Sequence, residues 1–490
     1  MKRETFGSRL GFILVSAGCA VGIGNVWKFP YMCGQFGGAA FILIYLVFLL
    51  IMGIPVMVCE FGVGRASRHS VAAAYETLEP KGTKWHITKW IGVIGCYFLM
   101  MFYTTVGGWM LYYCVRSFRG DFVGADMKTV SAGFSDMLGN MPLMAFWMIL
   151  ICIIGFGVCA FGIQKGIEKV SKFMMTALLL IMIVLAIHSV MMKGAGAGIR
   201  FYLIPDFKQM AEIGIGNVIF GAMSQAFFTL SIGIGAMLIF GSYMEKDQRL
   251  FGEAVNITVL DTIVALMAGF IIIPACFAYG IEPGAGPSLI FITIPNIFAQ
   301  VAGGRVWGGL FFLFLSFAAF TTLVAVFENI SFDMDLFGWS RKKSTLVSLI
   351  LIIILSMPCV MGFNVLAGFT PLGEGSTIMD LEDFIVSNNL LPLGSLGYVL
   401  FCTKKNGWGW NHFLEEINQG EGWKFPSGIK GYMSYGLPLL IIIIYLKGYY
   451  DKFQPMGTKV LVGWMIVAIL FLTFVIGCSC GKSNAEKVDK

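Results

Sequence analysis

The residues of this chain equipped to do chemistry are two glycine-broken apolar stretches, one lone carboxylate and one pair of adjacent hydroxyls. In the apolar run that opens at Leu10, Gly18, Gly22 and Gly24 are followed by Asn25, Lys28 and Pro30. Each glycine weakens a helix by about 1 kcal/mol relative to alanine. Backbone freed by such a break in hydrocarbon persists only where it faces a protein-lined cavity. A small-residue packing face would account for the glycines, but not for Asn25 and Lys28 beside them. The stretch therefore predicts a membrane helix interrupted so that bare carbonyls and amides face a ligand. A second apolar stretch, Gly221 to Gly241, carries Gly233-Ile234-Gly235, and in both a phenylalanine (Phe29, Phe240) stands five residues beyond the last glycine of the break. Breaks in corresponding positions of two halves point to a carrier built from inverted repeats, with its site near the bilayer midplane.

The carboxylate is Asp261. Such a group costs about 2.5–3.5 kcal/mol inside a membrane, and no lysine or arginine stands at helical spacing from it. Either a bound cation or protonation must offset it. The hydroxyls are Thr321 and Thr322, which with carbonyls one turn earlier make a cage of hard oxygens suited to a small cation. Thr229 and Ser231 flank the second break. Lone hydroxyls on membrane helices usually bond their own backbone, so their interest lies in the glycines beside them. Glu60 has two readings: it neutralises Arg65 near the surface, or it braces unwound backbone. Asp383 stands at the expected outer mouth of span ten, where it can meet Lys28.

The elements that must position these residues follow from composition. With 490 residues, 57% of them hydrophobic and 13% charged, the chain is no soluble domain of ordinary make-up. Apolar runs of about 20 residues match the hydrocarbon thickness of a bilayer. About twelve are expected, near 10–32, 39–64, 89–118, 143–161, 169–191, 215–241, 254–280, 306–334, 343–361, 383–403, 433–450 and 458–478. The loops are mostly short, so residues 1–480 are expected to form a single domain with a tail over 481–490. The run after Arg9 continues without a polar mature region, which rejects a cleaved signal. Placing both termini in the cytoplasm puts roughly twice as many Lys and Arg inside as outside. The net charge of +6 is then topological, and no nucleic-acid partner is expected. The 12 cysteines include no CxxC and the 4 histidines are scattered, so no zinc or haem site is expected.

Longer motifs run through nearly the whole chain: GxAVGxGNxWxFP at Gly18 to Pro30, GGAAF at Gly37 to Phe41, and GIPxMxxExxxGR at Gly53 to Arg65. QxFFTLSxGxGA follows at Gln225 to Ala236, DTxxALxAG at Asp261 to Gly269, EPGAGP at Glu282 to Pro287 and FAAxTT at Phe317 to Thr322. Together they resemble the neurotransmitter:sodium symporter family, in its bacterial amino-acid branch. The bacterial leucine transporter, itself a worked example of broken membrane helices, belongs to that family. The resemblance implies an all-α integral membrane protein of about 12 helices in a five-plus-five inverted repeat, with helices 1 and 6 discontinuous. Repeat one would cover about 8–195, repeat two about 213–405, and helices 11 and 12 about 431–480.

It also implies roles residue by residue. A first sodium site would use the Ala20 carbonyl, the Asn25 side chain, Thr229, Asp261 and the substrate carboxylate. A second would use carbonyls of Gly18, Val21 and Ala318 with the hydroxyls of Thr321 and Thr322. Amides around Gly22, Ile23 and Gly24, with the Tyr103 hydroxyl, would hold the substrate carboxylate. Carbonyls near Ala20, Phe228 and Thr229 would meet its amino group. Leu99, Tyr103, Phe228, Ser231, Ile234, Thr322 and Val326 would line the side-chain pocket. Phe228 and Tyr103 would form the outer lid, Lys28 with Asp383 the ionic outer gate, and Arg3, Ser242, Tyr243, Glu328 and Asp335 the cytoplasmic gate. Glu60 would be a supporting residue.

Together these roles imply a sodium-coupled symporter for an apolar, aliphatic or aromatic, amino acid, using two sodium ions in a bacterial cytoplasmic (inner) membrane. Chloride-dependent relatives carry Asn and Ser where this chain has Asp261 and Ala265, so the fixed charge of Asp261 would make transport chloride-independent. If Asp261 protonates once sodium leaves, the empty carrier could return a proton. Lys28 stands where the family usually has Arg, and lysine cannot make the bidentate fork, so the gate pair should be looser. A non-transporting amino-acid sensor or sodium channel on the same scaffold is the competing reading. A membrane enzyme finds no nucleophile–base pair or metal cluster. Monomer and homodimer both remain open.

Overall fold

The computed structural model describes residues 6–283 and 289–479. Arg3 and residues 284–287 of the EPGAGP motif lie outside them, as does the side chain of Asp335. The described elements are helical, apart from one isolated bridge between Gln248 and Glu421. Among the described residues, ten helices are long and apolar enough to cross a membrane, from Ala39–Ser67 to Thr458–Cys478. An eleventh candidate is the pair Arg9–Ala20 and Gly24–Gln35, bent by 56° at its break. The stretch expected as span six divides into Ile215–Thr229 and Ala236–Tyr243, of 15 and 8 residues. At about 1.5 Å per residue neither crosses a ~30 Å core alone.

The first break falls at Val21–Ile23, where the glycines weaken the helix. Val21 closes the first half by donating its N–H to the Ala17 carbonyl at 2.7 Å. The chain then re-enters as a wide turn over Gly24–Lys28, with Pro30 in the first turn of Phe29–Gln35. Proline is tolerated there because an N–H at that position lacks an intrahelical partner. The second break takes a sharper course. Ser231, Gly233 and Gly235 all have positive φ, at 51°, 105° and 80°, a region that favours glycine.

Both broken elements are central. Gly304–Asp333, which carries Thr321 and Thr322, is 83% buried over its most apolar window, against 17% for Thr458–Cys478 at the edge. Glycine lets the unwound backbone be approached closely. A Cβ on Gly394 would overlap the Gly233 carbonyl, and one on Gly233 would overlap the Leu391 carbonyl. The helix Leu391–Thr403 thus lies directly on the second break.

The two readings of Glu60 separate here. Its carboxylate accepts the N–H groups of Gly233 and, at 3.2 Å, Met237. Arg65 has another partner: it donates to Glu416 Oε1 at 2.9 Å and to the Gln248 carbonyl at 2.6 Å. Glu60 therefore braces unwound backbone.

Gly233→Ala should destabilise the protein by about 1–3 kcal/mol, the usual cost of forcing a side chain into such a conformation. Thermal unfolding in detergent tests this, with Gly216→Ala as control. Gly216 has open space around its Cβ position, and that variant should melt at or above the wild-type temperature.

Candidate functional site

Side chains satisfy the backbone released at the two breaks, and they build the site in doing so; Glu60 is one of them. The Ile23 N–H donates to the Tyr103 hydroxyl at 2.9 Å, and the Gly22 N–H donates to Asn25 Oδ1 at 3.2 Å. The Gln225 amide donates to the Gly24 carbonyl at 2.9 Å, and Asn329 reaches the Gly235 carbonyl at 3.5 Å. Tyr103, Gln225 and Asn329 come from three other helices, Trp85–Arg119, Ile215–Thr229 and Gly304–Asp333. The breaks are held in place from outside.

Asp261 lies beside the first break, fully buried. Asn25 Nδ2 donates to its Oδ1 at 2.8 Å and to its backbone carbonyl at 3.2 Å. Thr229 Oγ1 donates to Oδ2 at 3.2 Å. Both partners are neutral, and among the described residues Asp261 makes no ion pair. A buried carboxylate served only by neutral donors still lacks compensation for its charge. Turning the Asn25 amide would bring its oxygen to Thr229 and Asp261 as a further ligand, at the cost of the bond from the Gly22 N–H. The Tyr45 hydroxyl sits next to Thr229, and Gln225 Oε1 is buried without a hydrogen-bond partner among the described residues.

The second cluster is richer in oxygen. Thr322 Oγ1 lies 3.3 Å from the Gly18 carbonyl, 3.1 Å from Cys19, 3.4 Å from Val21 and 3.5 Å from Ala318. Thr321 Oγ1 lies 3.0 Å from the Ala318 carbonyl. Ala318 also has the Thr321 hydroxyl. The single Thr322 proton is left facing the three carbonyls of the broken helix, Gly18, Cys19 and Val21, and can satisfy one of them at a time. Converging oxygens in excess of available protons are what a hard cation requires.

Between these clusters lies a pocket of about 350 Å³, its mouth included, lined by Ala20, Gly22, Ile23, Gly24, Leu99, Tyr103, Phe228, Thr229, Ser231 and Leu391. Tyr103 Oη and Thr322 Oγ1 both stand where a Cβ on Gly22 would go. Three residues expected in the wall do not line this pocket: Thr322 is turned into the second cluster, and Ile234 and Val326 lie elsewhere. Ile234 and Val326 are fully buried. The Ile234 side chain instead fills the space over Gly95, where it would collide with a Cβ. Leu391, from the helix lying on the second break, takes up the apolar wall.

At the expected outer gate Asp383 is near enough to act electrostatically on Lys28 without touching it. No ion pair joins Lys28 to Asp383 among the described residues. The Lys28 ammonium lies 3.7 Å from the centre of the Phe228 ring, while Asp383 Oδ1 accepts the Ser387 hydroxyl at 2.7 Å. An ammonium is a point charge that an aromatic face can hold, and it lacks the guanidinium fork that would favour a carboxylate.

At the opposite end, the Tyr243 hydroxyl donates to Glu328 Oε1 at 2.9 Å, and Arg341 donates to Glu328 Oε2 at 2.5 Å. Ser242 Oγ donates to the Ile239 carbonyl at 2.5 Å. In the sequence Arg341 stands out only as topological charge. Tyr45 and Leu391 carry no sequence signal beyond an apolar context, whereas Gln225 is detectable as an amide inside a span.

A model described as the sodium:neurotransmitter symporter family matches residues 3–129 and 121–478. An uncharacterized sodium-dependent transporter of Bacillus subtilis, YhdH, is 35% identical over 453 residues, covering 91% of this chain and 98% of the relative. A similar uncharacterized sodium-dependent transporter of Haemophilus influenzae is 32% identical over 460 residues, with 91% and 98% covered. The crystal structure of MhsT in complex with L-phenylalanine is 36% identical, with a TM-score of 0.81 over 91% of this chain and 100% of that one.

Thr322→Val keeps the shape of the second cluster and removes its hydroxyl. Sodium should raise the melting temperature of the wild-type protein more than potassium does. The variant should need about tenfold more sodium for the same shift, the loss of one interaction with a charged group. An unchanged sodium titration would remove the cation from this cluster.

Proposed function

The chain belongs to the sodium:neurotransmitter symporter family, and from that premise we propose that it takes up an apolar amino acid, aliphatic or aromatic, by alternating access driven by two sodium ions. The coarser statement, a multi-pass sodium-coupled amino-acid transporter and not an enzyme, follows from the membership. The finer reading rests on one observation. A buried, uncompensated carboxylate and a surplus of carbonyl oxygens flank a single pocket at the breaks of two helices.

In this reading the first ion sits among the Ala20 carbonyl, Asn25, Thr229, Asp261 and the carboxylate of the substrate. The second sits among Gly18, Val21, Ala318, Thr321 and Thr322. The substrate carboxylate is held by the amides of the first break and by the Tyr103 hydroxyl, so one ion binds well only with substrate present. Ile23, Leu99, Phe228 and Leu391 offer no partner for a charged side chain, whose burial there would be costly. L-Phenylalanine, the ligand of MhsT, is the natural first probe. Asp261 supplies the negative charge that chloride would bring, and after sodium departs it takes up a proton that the empty carrier returns.

The same reading includes twelve spans, a five-plus-five repeat over 8–195 and 213–405 with two further helices, and a bacterial inner membrane with both termini cytoplasmic. Each charge entering gains about 2.3 kcal/mol per 100 mV, and a tenfold gradient adds about 1.4 kcal/mol per ion. Two ions then supply roughly 7 kcal/mol, enough for about 10⁵-fold accumulation without ATP.

In proteoliposomes, uptake of labelled L-phenylalanine should vanish when sodium is replaced by potassium or choline, and persist when chloride is replaced by gluconate. A proton gradient directed out of the vesicle should accelerate it. Asp261→Asn combined with Ala265→Ser should retain sodium dependence and acquire stimulation by chloride. Uptake that survives complete removal of sodium refutes the reading, while competition among the twenty amino acids fixes the substrate.

A further inference from the structure

The half-helix Arg9–Ala20 must change its setting if the site is ever to open at that end, and the contacts at its first turn are unusually dense. Ser8 caps it, its Oγ accepting the Gly11 N–H at 3.0 Å. The Glu168 carboxylate, on the helix Ile163–Val190, reaches the same turn. It accepts the Gly7 N–H at 2.8 Å and the Ser8 hydroxyl at 3.1 Å. Lys172, one turn further along that helix, donates to both Glu168 Oε1 at 2.6 Å and Ser8 Oγ at 2.8 Å.

Glu168 is only 4% exposed. It occupies the space over Gly11 so closely that a Cβ there would overlap its carboxylate. A negative charge at a helix N-terminus meets both the unsatisfied N–H groups and the positive end of the dipole. On the other side of the turn, Arg9 pairs with Glu253 at 2.6 Å.

We propose that Glu168 is a positioning residue of the transport cycle: a latch that holds the N-terminus of Arg9–Ala20 closed and is released each time the carrier opens to that side. The family resemblance assigns this closure to Arg3, Ser242, Tyr243, Glu328 and Asp335, without Glu168. The latch is well suited to release, because it holds one short turn by its cap and leaves the rest of the half-helix untouched. It also explains the glycine at position 11, since a side chain there would expel the carboxylate. Losing a charged acceptor from two donors shifts the closed-to-open ratio by about tenfold or more. The latch rests on the alternating-access reading above.

The experiment uses the full-length purified protein and hydrogen–deuterium exchange read peptide by peptide, in sodium and in potassium. Glu168→Gln keeps the shape and weakens the acceptor, and Gly11→Ala displaces the carboxylate without altering its charge. Both should speed exchange over Arg9–Ala20 by about tenfold, leave distant helices unchanged, and raise the sodium concentration needed to restore protection. Both should also lower the apparent sodium affinity of uptake more than its maximal rate. Wild-type exchange over Arg9–Ala20 in both variants overturns the proposal. So does accelerated exchange spread through the whole chain, which would make Glu168 a residue of folding alone. Local loosening in the variants, with a wild-type protein indifferent to sodium, would keep the latch and refute the sodium coupling instead.

Discussion

A peptide group without a hydrogen-bond partner costs several kcal/mol in hydrocarbon, and this protein breaks two helices where a bilayer offers no water. Most of the structure around the breaks can be understood as the answer to that cost. Tyr103 and Asn25 take N–H groups from the first break, and Gln225 takes a carbonyl. Glu60 takes N–H groups from the second, while Cys96 and Asn329 take carbonyls at 3.4 and 3.5 Å. Each partner comes from a different turn of a packed helix or from across the break. The unwound segments are therefore tied to the helices around them, and a ligand meets groups already in place. That is preorganisation in the physical sense: the ordering entropy has been spent in folding.

The partners are incomplete in an informative way. At Thr322 protons are short, because one hydroxyl faces the three carbonyls of Gly18, Cys19 and Val21. Around Asp261 the deficit is of charge, because Asn25 and Thr229 contribute dipoles only. Both shortfalls are of one sign, and both are met by a small cation with a taste for oxygen. Ala20 and Thr229 also line the pocket, so whatever sits there shares atoms with the first cluster. Coupling between ion and organic ligand then needs no distant relay.

Much of this is legible in the sequence, because it depends on residue types that are costly in a membrane. Gly22, Gly24 and the Gly233–Gly235 pair mark the breaks, and Asp261 marks the charge. Thr321 with Thr322 marks the oxygen cluster. Glu60 is ambiguous, since Arg65 one turn further on offers an equally good partner. Only the fold reveals that Arg65 is committed to Glu416. Leu391, Ile234 and Val326 illustrate a different limit. Apolar residues on central helices are interchangeable in sequence, and which of them faces a cavity depends on helix rotation. The family resemblance puts Ile234 in the wall, but here its side chain covers Gly95 and Leu391 faces the pocket. Lys28 shows how one substitution redirects an interaction. With Arg a carboxylate partner would be favoured, whereas the lysine rests on the Phe228 ring.

The two ends of the site are consequently held by different physics. Over the pocket, the direct contact on the Lys28 side is a cation above an aromatic face, worth about 0.5–2 kcal/mol depending on desolvation. Asp383 acts on the lysine without touching it. At the other end stand charge-assisted contacts, Arg341 and Tyr243 on Glu328 and the Ser8–Glu168–Lys172 group on the first turn, each of a class worth about 1.5–3 kcal/mol. Judged by direct charge-assisted contacts, the Arg9 end is the more heavily tied of the two. A carrier that loads from one side against a gradient benefits from that inequality, because the loaded site must stay sealed on the far side until its ions and substrate have supplied the energy to break it.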